Sequence, residues 1–214
     1  MNYLIQPEYL RQQPAWFHPR ILVGAGSFLR VGFVDQHKIT HVINCAFDEY
    51  SPEWFREINP NSYVCLEAID GLDQNILTWY PKFEETMQRF LREGDGTIYV
   101  HCQAGMNRSA FLALMYVCKH FHMELGSTIQ STKRQRPCMF TNTTFRRQVE
   151  EFINGHLQSQ ESSREFWRDN DGRYIGFGSP GNRPELERFK IDARYIEARI
   201  IRSSKSIVNP VRFQ

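Results

Sequence analysis

The chain has 214 residues, 41% hydrophobic and 23% charged, and its Lys and Arg exceed Asp and Glu by only two. That length holds one good core and an appendage, and so small a net charge argues by itself for neither nucleic acid nor membrane. No apolar stretch reaches bilayer length, residues 1–13 are too polar for a signal peptide, and there is neither a CxxC pair nor a His/Cys ligand cluster, so secretion, a membrane span, a metal and a cofactor are not expected. Five cysteines, an odd number in apolar surroundings, read as reduced thiols of a cytoplasmic or nuclear compartment.

In chain order, the first arm to about Pro19 carries Tyr3, Leu4, Tyr9, Leu10, Trp16 and Phe17 and should pack on something. Ile21-Leu22-Val23 before Gly24 and Gly26 reads as a short strand and turn, 27–37 as a helix, and His41 to Ala46 as a buried strand. Ser51-Pro52-Glu53 offers a hydroxyl cap, a proline at the first helical position and an acid in the first turn, so a helix should run to about Ile58. Tyr63 to Leu66 is the next strand. Ile76, Trp79, Tyr80, Phe83, Met87, Phe90 and Leu91 recur at three- and four-residue steps, one face of an amphipathic helix that Gly94 and Gly96 end. A strand at Thr97–Val100, an almost wholly apolar helix from Ser109 to His122, and helices over 125–134 and 142–153 complete the pattern. Such alternation predicts an α/β fold: a central, mostly parallel sheet flanked by helices, with ligands beyond the carboxyl ends of the strands.

His101-Cys102-Gln103-Ala104-Gly105-Met106-Asn107-Arg108-Ser109 occupies that place, between a strand and the core helix. A cysteine, five residues, an arginine and a hydroxyl form a minimal set that can strip a phosphate without a metal. The backbone N–H groups of 103–108 can curl into a nest for a dianion, and Arg108 can close the ring with two parallel donors. The field of the helix N-terminus, with Arg108 nearby, favours the reactive thiolate of Cys102. Substrate phosphate would therefore lie against Gln103, Ala104, Gly105, Met106, Asn107 and Arg108.

Over about residues 18–156 the chain resembles the cysteine-dependent dual-specificity protein phosphatases, a branch of the protein tyrosine phosphatase superfamily. His101 to Ala110 is similar to the family's HCxxGxxRS signature. Lys38-Ile39-Thr40-His41-Val42-Ile43-Asn44 is similar to its "GITHVLN" strand, with Lys for the usual Gly. Arg136-Pro137 with Asn142, Phe145 and Gln148 is similar to its "RPxxxPNxxFxxQL" segment, with Thr141 for the usual Pro. Asp70 stands 32 residues before Cys102, where the family holds its acid. The resemblance implies that Cys102 attacks phosphorus and that Asp70 protonates the leaving oxygen and then deprotonates water. It further implies that Arg108 and the loop amides hold the equatorial oxygens, that Ser109 supports the sulfur as leaving group, that His101 orients the loop and that Asn142 braces it. Asp73, in the same segment, is the rival acid. His120 and His122 read as surface or helix-end residues, and Cys45 and Cys65 as packed thiols, either of which could capture an oxidised Cys102.

Residues 159–184 are polar and rich in Gly and Ser, a linker that still carries Phe166, Trp167, Tyr174 and Phe177. Leu186, Phe189, Ala193, Ile196 and Ile200 then form an amphipathic stripe, and from Arg188 to Gln214 seven Lys/Arg face two Asp/Glu. The expected division is a catalytic domain over 1–158 and a basic extension over 159–214. That extension would dock on the core or on a second copy, or bind an acidic protein, an anionic membrane or RNA.

The leading expectation is a protein phosphatase accepting phosphotyrosine and phosphoserine/threonine, whose partners are phosphorylated proteins. One rival is an RNA 5′-triphosphatase of the same superfamily, because Asn107-Arg108 is similar to that branch's "GxNR" loop; another is a phospho-dependent binding or scaffold protein. An inositol-lipid phosphatase fits less well, since positions 103, 104, 106 and 107 carry no Lys.

Overall fold

A strand that is apolar along its whole length belongs in the middle of a parallel sheet, covered on both faces. The computed structural model, which describes residues 12–158 and the strand segments 166–168 and 174–176, bears this out. Its strands are β1 (Ala15–His18), β2 (Ile21–Ala25), β3 (Ile39–Asn44), β4 (Tyr63–Cys65) and β5 (Thr97–Cys102), in the order β1-β2-β5-β3-β4. Within this sheet only β1 runs antiparallel, against β2; the other pairs are parallel. Every residue of β2 and β5 is buried, whereas edge strand β4 is half-buried. β5 lies between β2 and β3, its end in register with Ala25 on one side and, at His101, with Asn44 on the other.

Because side chains alternate across a strand, the sheet feeds two cores. Val23, Ile43, Val100 and Cys102 face a large cluster with α3 (Tyr80–Arg92), α4 (Arg108–His120) and α6 (Thr143–Gln158). Leu22, Val42 and Tyr99 face a smaller one with Trp16, Leu29 and Phe55, the last from α2 (Glu53–Ile58). His101 therefore points to the second face and Cys102 to the first. α4 is buried from Arg108 to Cys118, as its unbroken apolar sequence predicts, and each large side chain fully buried there contributes about 1.5–3 kcal/mol.

The remaining α-helices among the described residues are α1 (Val31–His37) and α5 (Leu125–Gln135). The helix expected over 27–37 is interrupted: Gly26–Phe28 forms a separate 3-10 turn, Leu29 closes back on Gly26, and α1 starts only at Val31. A 3-10 turn likewise takes Ile76–Thr78, so the amphipathic stripe enters its helix at Tyr80. α3 ends at Arg92, just before Gly94 and Gly96, and the Arg20 guanidinium reaches the carbonyls of Leu91 (2.9 Å), Gly94 and Gly96. Lys38 ends α1 at φ 52°, ψ 45°, a left-handed cap that explains why glycine is usual at this place; a side chain there costs about 1 kcal/mol.

Of the N-terminal arm, Trp16 and Phe17 are buried in β1, while Tyr3, Leu4, Tyr9 and Leu10 lie outside the described residues, as does the stripe from Leu186 to Ile200. Within the segment read as a linker, β6 (Phe166–Arg168) and β7 (Tyr174–Gly176) pair as an antiparallel ribbon. His120 lies in the last turn of α4, hydrogen-bonded to Glu84 and stacked on Tyr116. Among the described residues no helix is long and apolar enough to cross a membrane, and no group of three His, Cys, Asp or Glu could hold a metal ion.

Candidate active site

β5 delivers Cys102 to the carboxyl edge of the sheet, 1% exposed, and the chain turns through residues 103–107 before α4 begins at Arg108. Gly105 makes that turn possible. It adopts φ +64°, and its missing Cβ would occupy the backbone of Gly24 and Ala25 in β2. The loop's carbonyls face away from the sulfur: Ala104 O and Gly105 O accept from Arg136 Nη2 (2.6 Å) and Nε (3.1 Å), and Met106 O accepts from Phe140 N (2.8 Å). In a trans peptide the following N–H points the opposite way, so the amides of 105, 106 and 107 turn to the concave side. Gly105 N donates to Cys102 Sγ at 3.2 Å and Ser109 Oγ to the same sulfur at 3.3 Å. Both bonds stabilise negative charge on sulfur.

Arg108 is 7% exposed at the head of α4. Its Nη1 donates to Ala68 O at 3.0 Å, and its Nε is buried with no hydrogen-bond partner among the described residues, a donor suited to a phosphate oxygen. Gln103 is exposed and Met106 half-buried.

His101 is fully buried, stacked on Tyr99 with ring centroids 5.7 Å apart. Its Nε2 pairs with Ser51 Oγ at 2.9 Å, and its Nδ1 lies 3.3 Å from Cys102 O. Burial pushes its pKa down to about 4, so at neutral pH the ring is uncharged and steadies the loop through hydrogen bonds, not charge. Ser51 corrects the sequence reading: its hydroxyl does not cap α2, whose cap position is Pro52 with no side-chain bond, because His101 takes it. Tyr63 OH extends the network, 3.1 Å from Ser51 Oγ and 2.8 Å from Asp48 Oδ1.

The segment between β4 and α3 carries both candidate acids. Asp70 is brought to the loop: its Oδ1 accepts from Asn142 Nδ2 (2.9 Å) and its Oδ2 from Asn107 Nδ2 (3.1 Å). Asp73 is exposed, its carboxylate beside Gly71, and no hydrogen bond among the described residues joins it to 103–109. Asn142 thus braces the acid segment as well as lying beside the phosphate loop, and it also donates to Gly71 O at 3.2 Å. Thr144 Oγ1 donates to Leu72 O (2.8 Å), and Gln148 Nε2 to Gln74 O (3.0 Å).

Sequence reasoning missed Ser51, Asn107's bond to Asp70 and Arg136. Arg136 is the largest fully buried side chain among the described residues, its guanidinium also reaching the carbonyls of Gln12 and Gln13. Its pairing with Pro137 was a signal of family, but nothing local marks it as buried. Burial pushes the thiols of Cys45 and Cys138 up, and that of Cys65 up to about 11, which favours their protonated form.

The family described as "Dual specificity phosphatase, catalytic domain" matches residues 22–154. Dual specificity protein phosphatase 22-B of Danio rerio is 28% identical over 136 residues, 63% of this chain and 71% of that protein. A probable dual specificity protein phosphatase of Dictyostelium discoideum is 26% identical over 136 residues, but this chain spans only 32% of its length. Among solved structures, the human tyrosine phosphatase-like serine/threonine/tyrosine-interacting protein superposes with a TM-score of 0.60 at 24% identity, covering 69% of this chain and 99% of the other, which shows a shared fold. With its motif turned between a central strand and a buried helix on a matching sheet, the chain belongs to the dual specificity phosphatase family of cysteine-based protein phosphatases.

Proposed function

We propose that the chain hydrolyses phosphotyrosine and phosphoserine/threonine in phosphorylated proteins through a cysteinyl-phosphate intermediate. One observation carries the reading: two donors, Gly105 N–H and Ser109 Oγ, converge on the sulfur of Cys102 inside a loop whose amides face inward. The Cys102 thiolate attacks phosphorus in line and the ester P–O bond breaks, its electron pair leaving with the oxygen. Asp70 gives that oxygen a proton. Arg108 and the amides hold the equatorial oxygens while charge redistributes. Asp70 then takes a proton from water, the water oxygen bonds to phosphorus, and the S–P bond breaks, with Ser109 donating to the departing sulfur. His101 and Asn142 keep the loops in place.

The acid segment and the 139–142 segment that flank the loop are short, which favours a shallow site open to both long and short phosphorylated side chains. Asn107 supports this reading over triphosphatase chemistry, because its amide holds an aspartate that the triphosphatase mechanism tends not to use. Residues 1–158 form the catalytic domain in this proposal and 159–214 a basic extension for a second copy, an acidic partner, an anionic membrane or RNA. Deleting 159–214 should change oligomeric state or partner binding more than peptide hydrolysis; no change in any of these would remove the extension from the account.

Cys102→Ser should abolish turnover of phosphotyrosyl and phosphothreonyl peptides while their affinity persists, and acid quench of the wild type should trap phosphoenzyme. Turnover retained by the variant would falsify the mechanism. A large preference for triphosphate-ended RNA over phosphopeptides would reverse the ranking of substrates.

A further inference from the structure

Asn107 stands between the two halves of the site, and both ends of its side chain are engaged. Its Oδ1 accepts three hydrogen bonds, from Thr141 N (2.8 Å), Thr141 Oγ1 (3.1 Å) and Asn142 N (2.9 Å). Its Nδ2 faces Asp70, 3.1 Å from Oδ2 and 3.4 Å from Oδ1. The amide cannot be reversed, since that would set its NH2 against two backbone donors and its oxygen against a carboxylate. Asn142 is oriented in the same manner: its Oδ1 accepts from Phe145 N (3.0 Å) in the first turn of α6, which directs its Nδ2 to Asp70 Oδ1 and Gly71 O.

We infer that Asn107 is a positioning residue that fixes Asp70 over the phosphate loop and stabilises its carboxylate as it gives up its proton. The inference rests on Asp70 being the acid. Asp70 is exposed, so without these amides its side chain would sample solvent, and a shorter side chain at 107 would not reach it. The two oxygens are not equivalent. Oδ1 is held by both amides and Oδ2 by Asn107 alone, which assigns Oδ2 to carry the proton toward the leaving oxygen. Once that proton is transferred, both oxygens are charged and both amides donate to them, so these bonds are stronger after transfer than before. The benefit is largest for esters that cannot leave without a proton. Because Asn107 also belongs to the phosphate loop, the acid is set by the element that holds the phosphate, and the two arrive in register.

The test compares kcat/KM for phenyl phosphate, a poor leaving group, and 4-nitrophenyl phosphate, a good one, in the full chain. Asp70→Asn should depress the first far more than the second. Asn107→Ala should show the same bias, by about tenfold, and should add no further bias in the Asp70→Asn background. Asn107→Asp retains the acceptor for Thr141 and Asn142 but turns an oxygen toward Asp70, so the loop keeps its anchor and the bias should be at least as large. Equal losses on both esters from the Asn107 variants, or a further bias added by them in the Asp70→Asn background, would overturn the inference and leave Asp70 as the acid. Absence of bias in Asp70→Asn itself would instead remove the acid assignment, and the inference with it.

Discussion

The two walls of the site are built by opposite means. The phosphate loop is set by backbone: a central strand runs into it, a buried helix runs out of it, and its outward carbonyls are gripped by Arg136 and Phe140. The acid segment has no regular structure at Asp70 and is held by side chains from elsewhere, through Asn107, Asn142, Thr144 and Gln148. The first arrangement is cooperative, so losing one central group exposes several unsatisfied polar atoms at once. The second is distributed, and single losses should be graded.

The largest difference should come from Arg136→Lys. An ammonium cannot follow the fork that joins Ala104 O and Gly105 O to the carbonyls of Gln12 and Gln13, and it leaves buried acceptors unpaired. Stability measured by urea unfolding should fall by about 3 kcal/mol, and kcat by about a hundredfold in whatever remains folded. A loss confined to stability, with normal kcat, would mean that Arg136 does not shape the loop.

A second measurement probes the same wall through pH. Burial holds the His101 pKa at about 4 against an ordinary 6.5, so the unfolded chain takes a proton that the folded chain refuses. The contribution is fully present above pH 6.5 and is lost as pH falls toward 4, about 3 kcal/mol over that interval. His101→Gln should flatten this part of the stability profile relative to wild type. An unchanged slope would place the acid sensitivity elsewhere.

On the acid side, Thr144→Val removes one of several hooks, an exposed hydroxyl bonded to Leu72 O. The expected loss is about 0.5 kcal/mol in stability and less than about threefold in phenyl phosphate hydrolysis. A loss approaching that of Arg136→Lys would show the acid segment to be as cooperative as the phosphate loop.

Legibility in the sequence follows the same divide. Cys102, Arg108 and Ser109 are readable because an anion nest is local: six residues between a buried strand and an apolar helix suffice to specify it. The sheet is equally readable, since strands apolar throughout can only be central. What distinguishes Asp70 from Asp73 is not local. It depends on amides 37 and 72 residues away, which no spacing rule brings together, and only family resemblance pointed there. Ser51 misleads for a related reason: Ser-Pro-Glu satisfies every rule for a helix start, yet the tertiary fold offers its hydroxyl a buried imidazole. Arg136 lies in a run of basic residues whose neighbours Lys133 and Arg134 are exposed or nearly so, and sequence cannot tell the one that turns inward.

Gly105 and Gly24 meet where loop and sheet touch, with backbone against backbone and no room for a carbon between them. The height of the anion cradle above the strands is therefore set by hydrogen atoms, the smallest spacers a protein possesses. A single methyl group at position 105 would act as a shim, lifting the cradle away from the thiol beneath it and parting two groups whose usefulness depends on their being within a bond's reach.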